Sequence, residues 1–243
     1  RRVLFRSVSG GTGAGKTTLL NLLSRSIPNF ERIITIEDTA ELQLQQSHVV
    51  RLETRPENIE GKGYISMRTL LKNSLRMRPD RIIVGEIRRQ REAQVLLEAM
   101  HTGHSVYATI HANNADEVIV RLTNPPIDIP KPMISSLSLI LVQSRNRRTG
   151  KRRTLQLAEV NSLGDAKVLM QLNVSNDVLE KINESDTLME KLKLYTGLNQ
   201  KDLFEDLKQK VKVLRWMVNN NIENVNQIGI VMAKYYMGKL VID

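Results

Sequence analysis

The segment GGTGAGKTT, close to the beginning of the chain, constrains the fold more than any other feature of this 243-residue sequence. It matches the pattern G-x-x-x-x-G-K-[ST], in which glycines let the backbone turn its N–H groups toward the phosphates of a nucleotide. Such a loop joins a buried strand to the N-terminus of a helix, whose dipole favours negative charge at the same point. The sequence therefore predicts a nucleotide-binding loop formed by Gly10, Gly11, Thr12, Gly13, Ala14, Gly15, Lys16, Thr17 and Thr18.

Two residues of this loop carry its predicted chemistry. The amine of Lys16 would reach the β- and γ-phosphates, and the hydroxyl of Thr17 would contact Mg²⁺. The Asn/Thr-Lys-x-Asp pattern that reads guanine does not occur in the sequence, which favours ATP over GTP. ATP and Mg²⁺ are therefore the expected cofactors.

The seven residues ahead of the loop, RRVLFRS, do not suit the buried strand that the loop requires. A central strand of a parallel sheet should be a nearly continuous apolar run, and Arg1, Arg2 and Arg6 interrupt it. The codons AGA CGT GTG CTC TTC CGA TCT, which end a common sequencing adaptor, translate as the same seven residues. We therefore predict that residues 1–7 are non-native and that a gene fragment begins at Val8.

Composition excludes several classes of protein. The sequence has no cysteine, so disulfides and thiolate metal sites are excluded. The apolar run MISSLSLILV is shorter than the roughly 18 residues of a membrane helix, and we expect a cytoplasmic protein without a transmembrane segment. The net charge of +10 suits nucleic acid, an anionic membrane surface or a polyphosphate ligand. Because aromatic residues make up only 4%, base stacking has little support and no direct nucleic-acid contact is expected.

Apolar strands and helical segments alternate in the first half of the chain. Strands are predicted just before Gly10 and at residues 32–37, 81–86 and 105–111. Helices are predicted at residues 16–26, 65–77, 91–102 and 114–123. The segment LILVQSRNRRTGKRRTLQLAEV adds two strands joined by a basic turn. The alternation predicts an α/β fold with a largely parallel sheet and helices on both faces.

The character of the sequence changes after about residue 160. We predict a nucleotide-binding core at residues 8–160, a linker at residues 161–177 and a purely helical extension at residues 178–243. The extension contains predicted helices at residues 185–195, after Asn199, and at residues 225–236. We interpret the apolar stripe of the second helix as the core of a small bundle. The stripe consists of Leu203, Phe204, Leu207, Val211, Leu214, Met217 and Val218.

Polar side chains able to do chemistry follow three of the predicted core strands. Glu37 and Asp38 come at the end of one strand, Glu86 at the end of the next, and His111 at the end of the third. The carboxyl ends of parallel strands share one edge of a sheet, which is where ligands bind. Glu86 and Asp38 are candidates to hold Mg²⁺, directly or through water. Glu37 is the better candidate to orient or deprotonate the attacking water, although Glu37 and Glu86 could exchange roles.

His111 and two arginines complete the predicted site. No second histidine stands at metal-ligand spacing from His111, so sensing of the γ-phosphate is its more plausible role. Arg51 and Arg55 lie in VVRLETRPENIEG. An arginine finger from a neighbouring subunit can stabilise transition-state charge, and that role would require a ring of subunits.

The segments GGTGAGKTT, ITIEDTAEL, RMRPDRIIVGEIR and TGHSVYATIHAN, in this order, resemble the type II/IV secretion ATPase superfamily. The resemblance covers residues 8–160, and the tail is similar to the helical extension of archaeal members. It implies a RecA-like P-loop NTPase core in a homo-hexameric ring at the cytoplasmic face of a membrane. ATP hydrolysis would then power protein secretion or the assembly of type IV pilus-like or archaeal filaments, through a membrane platform protein.

The resemblance also implies residue roles. Lys16 and Thr17 match the Walker A positions, Glu37 and Asp38 the acidic box, and Glu86 the Walker B acid. His104 and His111 match the histidine box, while Arg51 and Arg55 match the intersubunit arginines more loosely. Two departures stand out. The turn after Glu86 is one residue longer than the family pattern and lacks its glycine. Family members carry an N-terminal domain before the loop, and we therefore expect this sequence to be an N-terminally truncated one.

Two alternative functions stay open from the sequence. RecA-like cores also drive nucleic-acid motors, and DNA-stimulated hydrolysis with a steep salt dependence would indicate one. A truncated chain could instead bind nucleotide without hydrolysing it. Calorimetry with ATP and Mg²⁺ would distinguish that third case.

Overall fold

A nine-stranded sheet forms the centre of the computed structural model, which describes residues 5–240 apart from the side chains of Phe5 and Val225. The strands are β1 (Phe5–Gly10), β2 (Ile33–Glu37), β3 (Val49–Glu53), β4 (Arg81–Val84), β5 (Ser105–Ile110), β6 (Leu137–Arg145), β7 (Arg152–Val160), β8 (Ala166–Asn173) and β9 (Val178–Lys181). The helices are α1 (Lys16–Ser24), α2 (Met67–Leu75), α3 (Gln90–His101), α4 (Ala115–Thr123), α5 (Lys131–Ile134), α6 (Thr187–Thr196), α7 (Gln200–Asn219) and α8 (Val225–Tyr236).

Strands lie in the order β3-β2-β4-β5-β1-β6-β7-β8-β9. Neighbours from β3 to β6 are parallel, and neighbours from β6 to β9 are antiparallel. The predicted α/β fold with a largely parallel sheet is confirmed. Every residue of β2, β4 and β5 is buried, as expected of strands covered on both faces.

Apolar side chains fill both faces of the parallel part of the sheet. On one face, helices α2, α3 and α4 pack over a large cluster that includes Ile34, Ile82 and Leu96. On the other face, α1 and the segment after β2 cover a smaller cluster that includes Val8, Leu20 and Leu42. Because both faces are covered, the open edge at the carboxyl ends of the strands is the place left for a ligand.

A buried ion pair lies among the strands. Arg81, in β4, donates from Nε and Nη2 to Glu31 Oε2 at 3.0 and 2.8 Å, and both side chains are at most 6% exposed. The same guanidinium donates from Nη1 to Ser105 Oγ and to the Tyr107 hydroxyl, at 3.0 and 2.8 Å. A buried charge needs such compensation, because its desolvation costs several kcal/mol.

Two strands occupy a region for which the sequence predicts none. Strand β8 lies within residues 161–177, which were predicted as a linker, and it pairs antiparallel with β7. Strand β9 lies at the start of the region predicted to be purely helical, and it pairs antiparallel with β8. Most residues of β8 are half-buried and those of β9 are half-buried or exposed. Such strands lack the continuous apolar run that identifies a buried strand. The edge strand β3, of similar character, was also missed.

Helices α6 to α8 follow the sheet close to their predicted bounds. The Asn199 side chain accepts a hydrogen bond from the backbone N–H of Asp202 and caps α7. The prediction for the apolar stripe of α7 was mostly wrong. Only Leu203 and Met217 of its seven residues are buried, and Val213, which the stripe omits, packs with Met217 against α8. The contact with α8 therefore uses a neighbouring face of α7.

Part of the segment predicted as non-native belongs to the sheet. Residues 1–4 lie outside the described residues, whereas residues 5–7 begin β1. Arg6 donates to the Tyr107 hydroxyl at 2.8 Å, and the buried Ser7 hydroxyl has no hydrogen-bond partner among the described residues. Between residues 5 and 240, no helix combines the length and the apolar character needed to cross a membrane.

Candidate functional site

The glycine-rich loop lies between β1 and α1, as its sequence pattern predicts. Gly13 and Gly15 adopt φ angles of 71° and 95°, in the left-handed region that favours glycine. A Cβ atom on Gly10 would stand 2.4 Å from the Gln143 carbonyl oxygen of β6, so only glycine fits there without a shift. The loop thus turns sharply against the sheet and presents the N-terminus of α1, which begins at Lys16.

Lys16 lies folded over the loop that it follows in sequence. Its amine donates to the carbonyl oxygens of Gly10 and Gly11, at 2.9 and 3.1 Å. Burial lowers the pKa of this amine, while the nearby carboxylates of Glu86 and Glu41 act in the opposite direction. The cation is therefore held beside the loop by groups that a phosphate can replace or join.

Two contacts connect the loop with the ends of neighbouring strands. The Thr17 hydroxyl donates to Glu41 Oε2 at 3.0 Å, and Thr12 Oγ1 shares a 3.2 Å hydrogen bond with His111 Nε2. Asn113 Oδ1 approaches the same loop, 3.4 Å from where a Cβ on Gly11 would stand. The structure therefore brings the carboxyl ends of β1, β2 and β5 together, as the strand order requires.

Asp38 and Glu86, the predicted metal candidates, are linked through Arg88. Arg88 donates from Nη1 to Asp38 Oδ2 at 3.0 Å and from Nη2 to Glu86 Oε2 at 2.8 Å. Asp38 also accepts from the Thr54 hydroxyl at 3.0 Å. Between residues 5 and 240 there is no cluster of three or more His, Cys, Asp or Glu side chains that could hold a metal ion. Mg²⁺ in nucleotide sites is usually held by one or two carboxylates and by phosphate oxygens.

Glu37 differs from Asp38, Glu41 and Glu86 because it is buried, beneath the loop that follows β2. Its side chain is 4% exposed, and Oε1 accepts hydrogen bonds from the backbone N–H groups of Glu41 and Leu42, both at 3.1 Å. Burial raises the pKa of the Glu37 carboxyl, and these two N–H groups partly offset the increase. Glu37 thus shapes the loop that places Glu41 next to Thr17.

We expect Glu37→Gln to gain stability relative to the unchanged chain as the pH rises. A raised pKa in the folded state means that folding stability falls as pH rises from the ordinary glutamate range through the folded pKa. Glutamine cannot ionise, yet its amide oxygen can still accept from both N–H groups. The difference in melting temperature, variant minus unchanged chain, should therefore be larger at about pH 7.5 than at about pH 4.5.

Thermal unfolding followed by circular dichroism at the two pH values would measure this effect. Glu57→Gln, which removes an exposed carboxylate, controls for the loss of one negative charge. A difference for Glu37→Gln that does not change with pH would contradict the argument from burial.

Three other predicted residues lie away from the loop. On β3 and just after it, Arg51 donates from Nη2 to the Leu44 carbonyl at 3.1 Å, and Arg55 donates from Nε to the Gly63 carbonyl at 2.6 Å. Strand β3 is an edge strand, separated from β1 by three others. His104 precedes β5 and therefore lies at the opposite edge of the sheet from His111, where its Nδ1 is 3.1 Å from the Ala99 carbonyl oxygen.

The structure adds residues to the site that the sequence reasoning missed. Glu41 lies within the quoted segment ITIEDTAEL, and its position after β2 was the only signal. Arg152 donates from Nε to the Gly13 carbonyl at 2.9 Å, and an Arg145 Nη1 atom lies 3.4 Å from where a Cβ on Gly13 would stand. Both arginines flank the β6–β7 turn, so the basic character of that turn was their signal. The positive charges of Arg145 and Arg152 therefore lie beside the glycine-rich loop of their own chain and need no neighbouring subunit.

The fold and the site define a class of protein. A glycine-rich loop between a central parallel strand and a helix, with Lys16 beside it and acidic groups at the neighbouring strand ends, is the arrangement of a P-loop nucleoside triphosphatase fold. Residues 3–227 match the family described as "Type II/IV secretion system protein". The chain belongs to this family, as its four sequence segments predict.

Known proteins similar to the chain include archaeal and bacterial ones. It is 37% identical over 218 residues to the Methanocaldococcus jannaschii protein MJ1287, covering 86% of this chain and 79% of that protein. It is 41% identical over 159 residues to a putative conjugal transfer protein of Mycobacterium tuberculosis, covering 62% of this chain and 45% of the relative. The crystal structure of the VirB11 ATPase from the Brucella suis type IV secretion system, in complex with sulphate, aligns with a TM-score of 0.55 at 26% identity. That alignment covers 64% of this chain and 48% of VirB11. The chain therefore spans about half the length of VirB11 and of the putative conjugal transfer protein.

Proposed function

We propose that this chain is the ATPase core of a motor subunit that hydrolyses ATP to power protein secretion or the assembly of a pilus-like filament. The observation that carries the proposal is the position of Lys16, whose amine bonds to two carbonyls of the glycine-rich loop and lies near enough to Glu86 and Glu41 to feel their charge. Phosphoryl transfer requires cations that neutralise the phosphate charge, together with acidic groups that hold Mg²⁺ or orient the attacking water. Membership of the family and the likeness to a VirB11 ATPase support the same reading.

The residues present fit ATP and Mg²⁺. The left-handed glycines let the loop turn its backbone N–H groups toward phosphates, and Lys16 would exchange its carbonyl partners for phosphate oxygens. Thr17 and Glu86 would hold Mg²⁺, with Asp38 as a further candidate, once Arg88 releases its carboxylate partners. Bound Mg²⁺ supplies neutralisation of the phosphate charge. His111, which is hydrogen-bonded to Thr12, would respond when the loop takes up phosphate.

The water-activating role is assigned to Glu86 or Glu37. Glu37 is buried and bonded to two backbone N–H groups, whereas Glu86 is more accessible and lies near Lys16. These contacts favour Glu86 for direct work on the water or the metal and favour Glu37 as a positioning residue. We therefore propose Glu86 for the water as well as the metal, whereas Glu37, the better candidate for the water from the sequence, positions the loop that carries Glu41.

We further propose that the working form is a homo-hexamer at the cytoplasmic face of a membrane, with a membrane platform protein as partner. Arg51 and Arg55 lie on the edge-strand side of the sheet, so their use in catalysis would require delivery to the loop of a neighbouring subunit. In this chain both guanidiniums hold backbone carbonyls. If each guanidinium left its carbonyl to contact the nucleotide of a neighbouring subunit, hydrolysis would depend on assembly of the ring.

We expect Glu86→Gln to keep ATP binding but to lower ATP turnover by about 100-fold. The substitution preserves the size of the side chain and removes only the charge that metal or water activation requires, a loss of the order seen when one charge-stabilising group is deleted. Calorimetry with ATP and Mg²⁺ measures the binding, and phosphate release measures the turnover.

Glu98→Gln, on the exposed face of α3, provides the matched control. Undiminished turnover in Glu86→Gln would exclude the proposed role of this residue. Absence of ATP binding by the unchanged chain would contradict the proposed function itself, whereas binding without hydrolysis would identify the non-hydrolysing alternative.

A further inference from the structure

Helix α7 carries a row of apolar side chains that the other residues described by the structure leave exposed. Its members are Phe204, Leu207, Val211, Leu214 and Val218, which are between 42% and 73% exposed. We call this row the α7 seam. The buried face of the same helix is a different one, formed by Leu203, Val213 and Met217. The seam is therefore not part of the contact between α7 and α8.

The spacing of the α7 seam is that of a coiled coil. Its residues follow one another at intervals of three, four, three and four, which places them at the a and d positions of two successive heptads and at the a position of a third. Such a stripe is narrower than the broad apolar face of a helix that lies in a membrane surface. The spacing thus favours a second helix as the occupant.

The charges beside the α7 seam indicate which kind of helix fits. Lys208, Lys212 and Arg215 line a shallow groove together with Phe204, Leu207 and Val211. Lys208 pairs with Glu205, and the structure shows no ion pair for Lys212 or Arg215 with any residue between 5 and 240. Lys208 and Arg215 stand at e positions, where coiled coils place the charges that select a partner.

A second copy of α7 would not complement this surface. An antiparallel pair of α7 helices would bring the e positions of both copies together, and Lys208 would face Arg215. A parallel pair would bring Arg215 near Lys210, which lies at a g position. Like charges at these positions disfavour pairing.

We propose that the α7 seam is a docking site for an amphipathic helix with acidic residues beside its own apolar stripe, contributed by a different protein. The apolar stripe of the partner would cover the five exposed side chains. Its carboxylates would face Lys208, Lys212 and Arg215. The site lies on the helical extension and does not depend on nucleotide chemistry.

Synthetic three-heptad helices test the proposal directly. One peptide carries leucine at a and d and glutamate at e and g, and its counterpart carries lysine in place of glutamate. We expect the full chain to bind the acidic peptide in a fluorescence anisotropy titration and to bind the basic peptide at least about tenfold more weakly. Equal binding of both peptides, or no binding of the acidic one, would overturn the proposal.

Substitutions on α7 locate the binding surface. Leu214→Glu, at a position that is 52% exposed, should weaken binding of the acidic peptide at least about tenfold. Gln209→Glu adds the same charge at an f position of the same helix and should leave binding within about twofold. The double variant Lys208→Glu and Arg215→Glu should reverse the preference toward the basic peptide. Circular dichroism of each variant verifies that α7 remains folded.

Two further measurements separate other occupants. Vesicles of phosphatidylglycerol and phosphatidylcholine test a membrane surface, and sedimentation tests a second copy of the chain. Vesicle binding that Leu214→Glu removes, without binding of the acidic peptide, would overturn the proposal in favour of a membrane. Self-association that the same variant removes would overturn it in favour of another copy.

Discussion

Replacing Lys16 with alanine is expected to lower ATP turnover by about 100- to 1000-fold, because the substitution removes the cation that faces the phosphates. In the structure this amine bonds to the Gly10 and Gly11 carbonyls, at 2.9 and 3.1 Å, and lies near the carboxylates of Glu86 and Glu41. Without it, the negative groups of the site would repel the nucleotide. Binding of ATP and Mg²⁺, measured by calorimetry, should weaken by about tenfold or more, since a hydrogen bond to a charged group contributes about 1.5–3 kcal/mol.

Lys62→Ala is the matched control for Lys16→Ala. The Lys62 side chain is 79% exposed, and its carboxylate partner Glu60 is 3.9 Å away, so its loss should change turnover less than about twofold. If Lys16→Ala and Lys62→Ala hydrolyse ATP equally well, the glycine-rich loop is not the site of the reaction. If the unchanged chain binds ATP without hydrolysing it, and Lys16→Ala abolishes that binding, the chain is a nucleotide-binding protein that does not turn over.

Glu31→Gln is expected to lower the free energy of unfolding by about 3–5 kcal/mol. The variant leaves the Arg81 guanidinium buried among the strands without its carboxylate, which now accepts from Nε and Nη2. Ser105 and Tyr107 would still accept from Nη1, but hydroxyl groups do not neutralise the charge. Thermal unfolding should show a decrease of roughly 6–20 °C, from about 2–4 °C per kcal/mol for a chain of this size.

An exposed pair and a double variant test the reason for this loss. Glu60→Gln breaks the exposed pair with Lys62 and should cost less than about 1 kcal/mol. Glu31→Leu combined with Arg81→Met removes both buried charges and should cost less than Glu31→Gln alone. Equal decreases for Glu31→Gln and Glu60→Gln would contradict the argument that loss of the carboxylate beside a buried guanidinium lowers the stability.

The elements that the sequence predicted well have strong local patterns. Strands β2, β4 and β5 are buried on both faces, so nearly every residue in them is apolar and the run is visible in the sequence. The glycines of the loop are required by a backbone geometry that few other residues adopt, so the motif can be recognised from the sequence alone. Helix α7 begins after Asn199 because that side chain caps it, a contact that spans three residues.

The elements that the sequence missed have weak local patterns. Strands β3, β8 and β9 have half-buried or exposed residues of mixed polarity, and their strand conformation depends on pairing with a neighbour. The apolar stripe of α7 was recognised, but its burial was not predictable, because burial depends on which face meets α8. A periodic stripe shows that a helix is amphipathic and does not show that its partner lies in the same chain.

The same division applies to the candidate site. By itself the sequence determined the loop, the lysine and hydroxyl that follow it, and the polar residues that end the core strands, because each belongs to a short segment with a recognisable pattern. Only the tertiary structure decided that Glu41 meets Thr17, that Glu37 is buried beneath its loop, and that Arg152 reaches Gly13. The contact between Arg152 and Gly13 joins residues 139 positions apart. Strand order and packing create such contacts, and no local pattern encodes them.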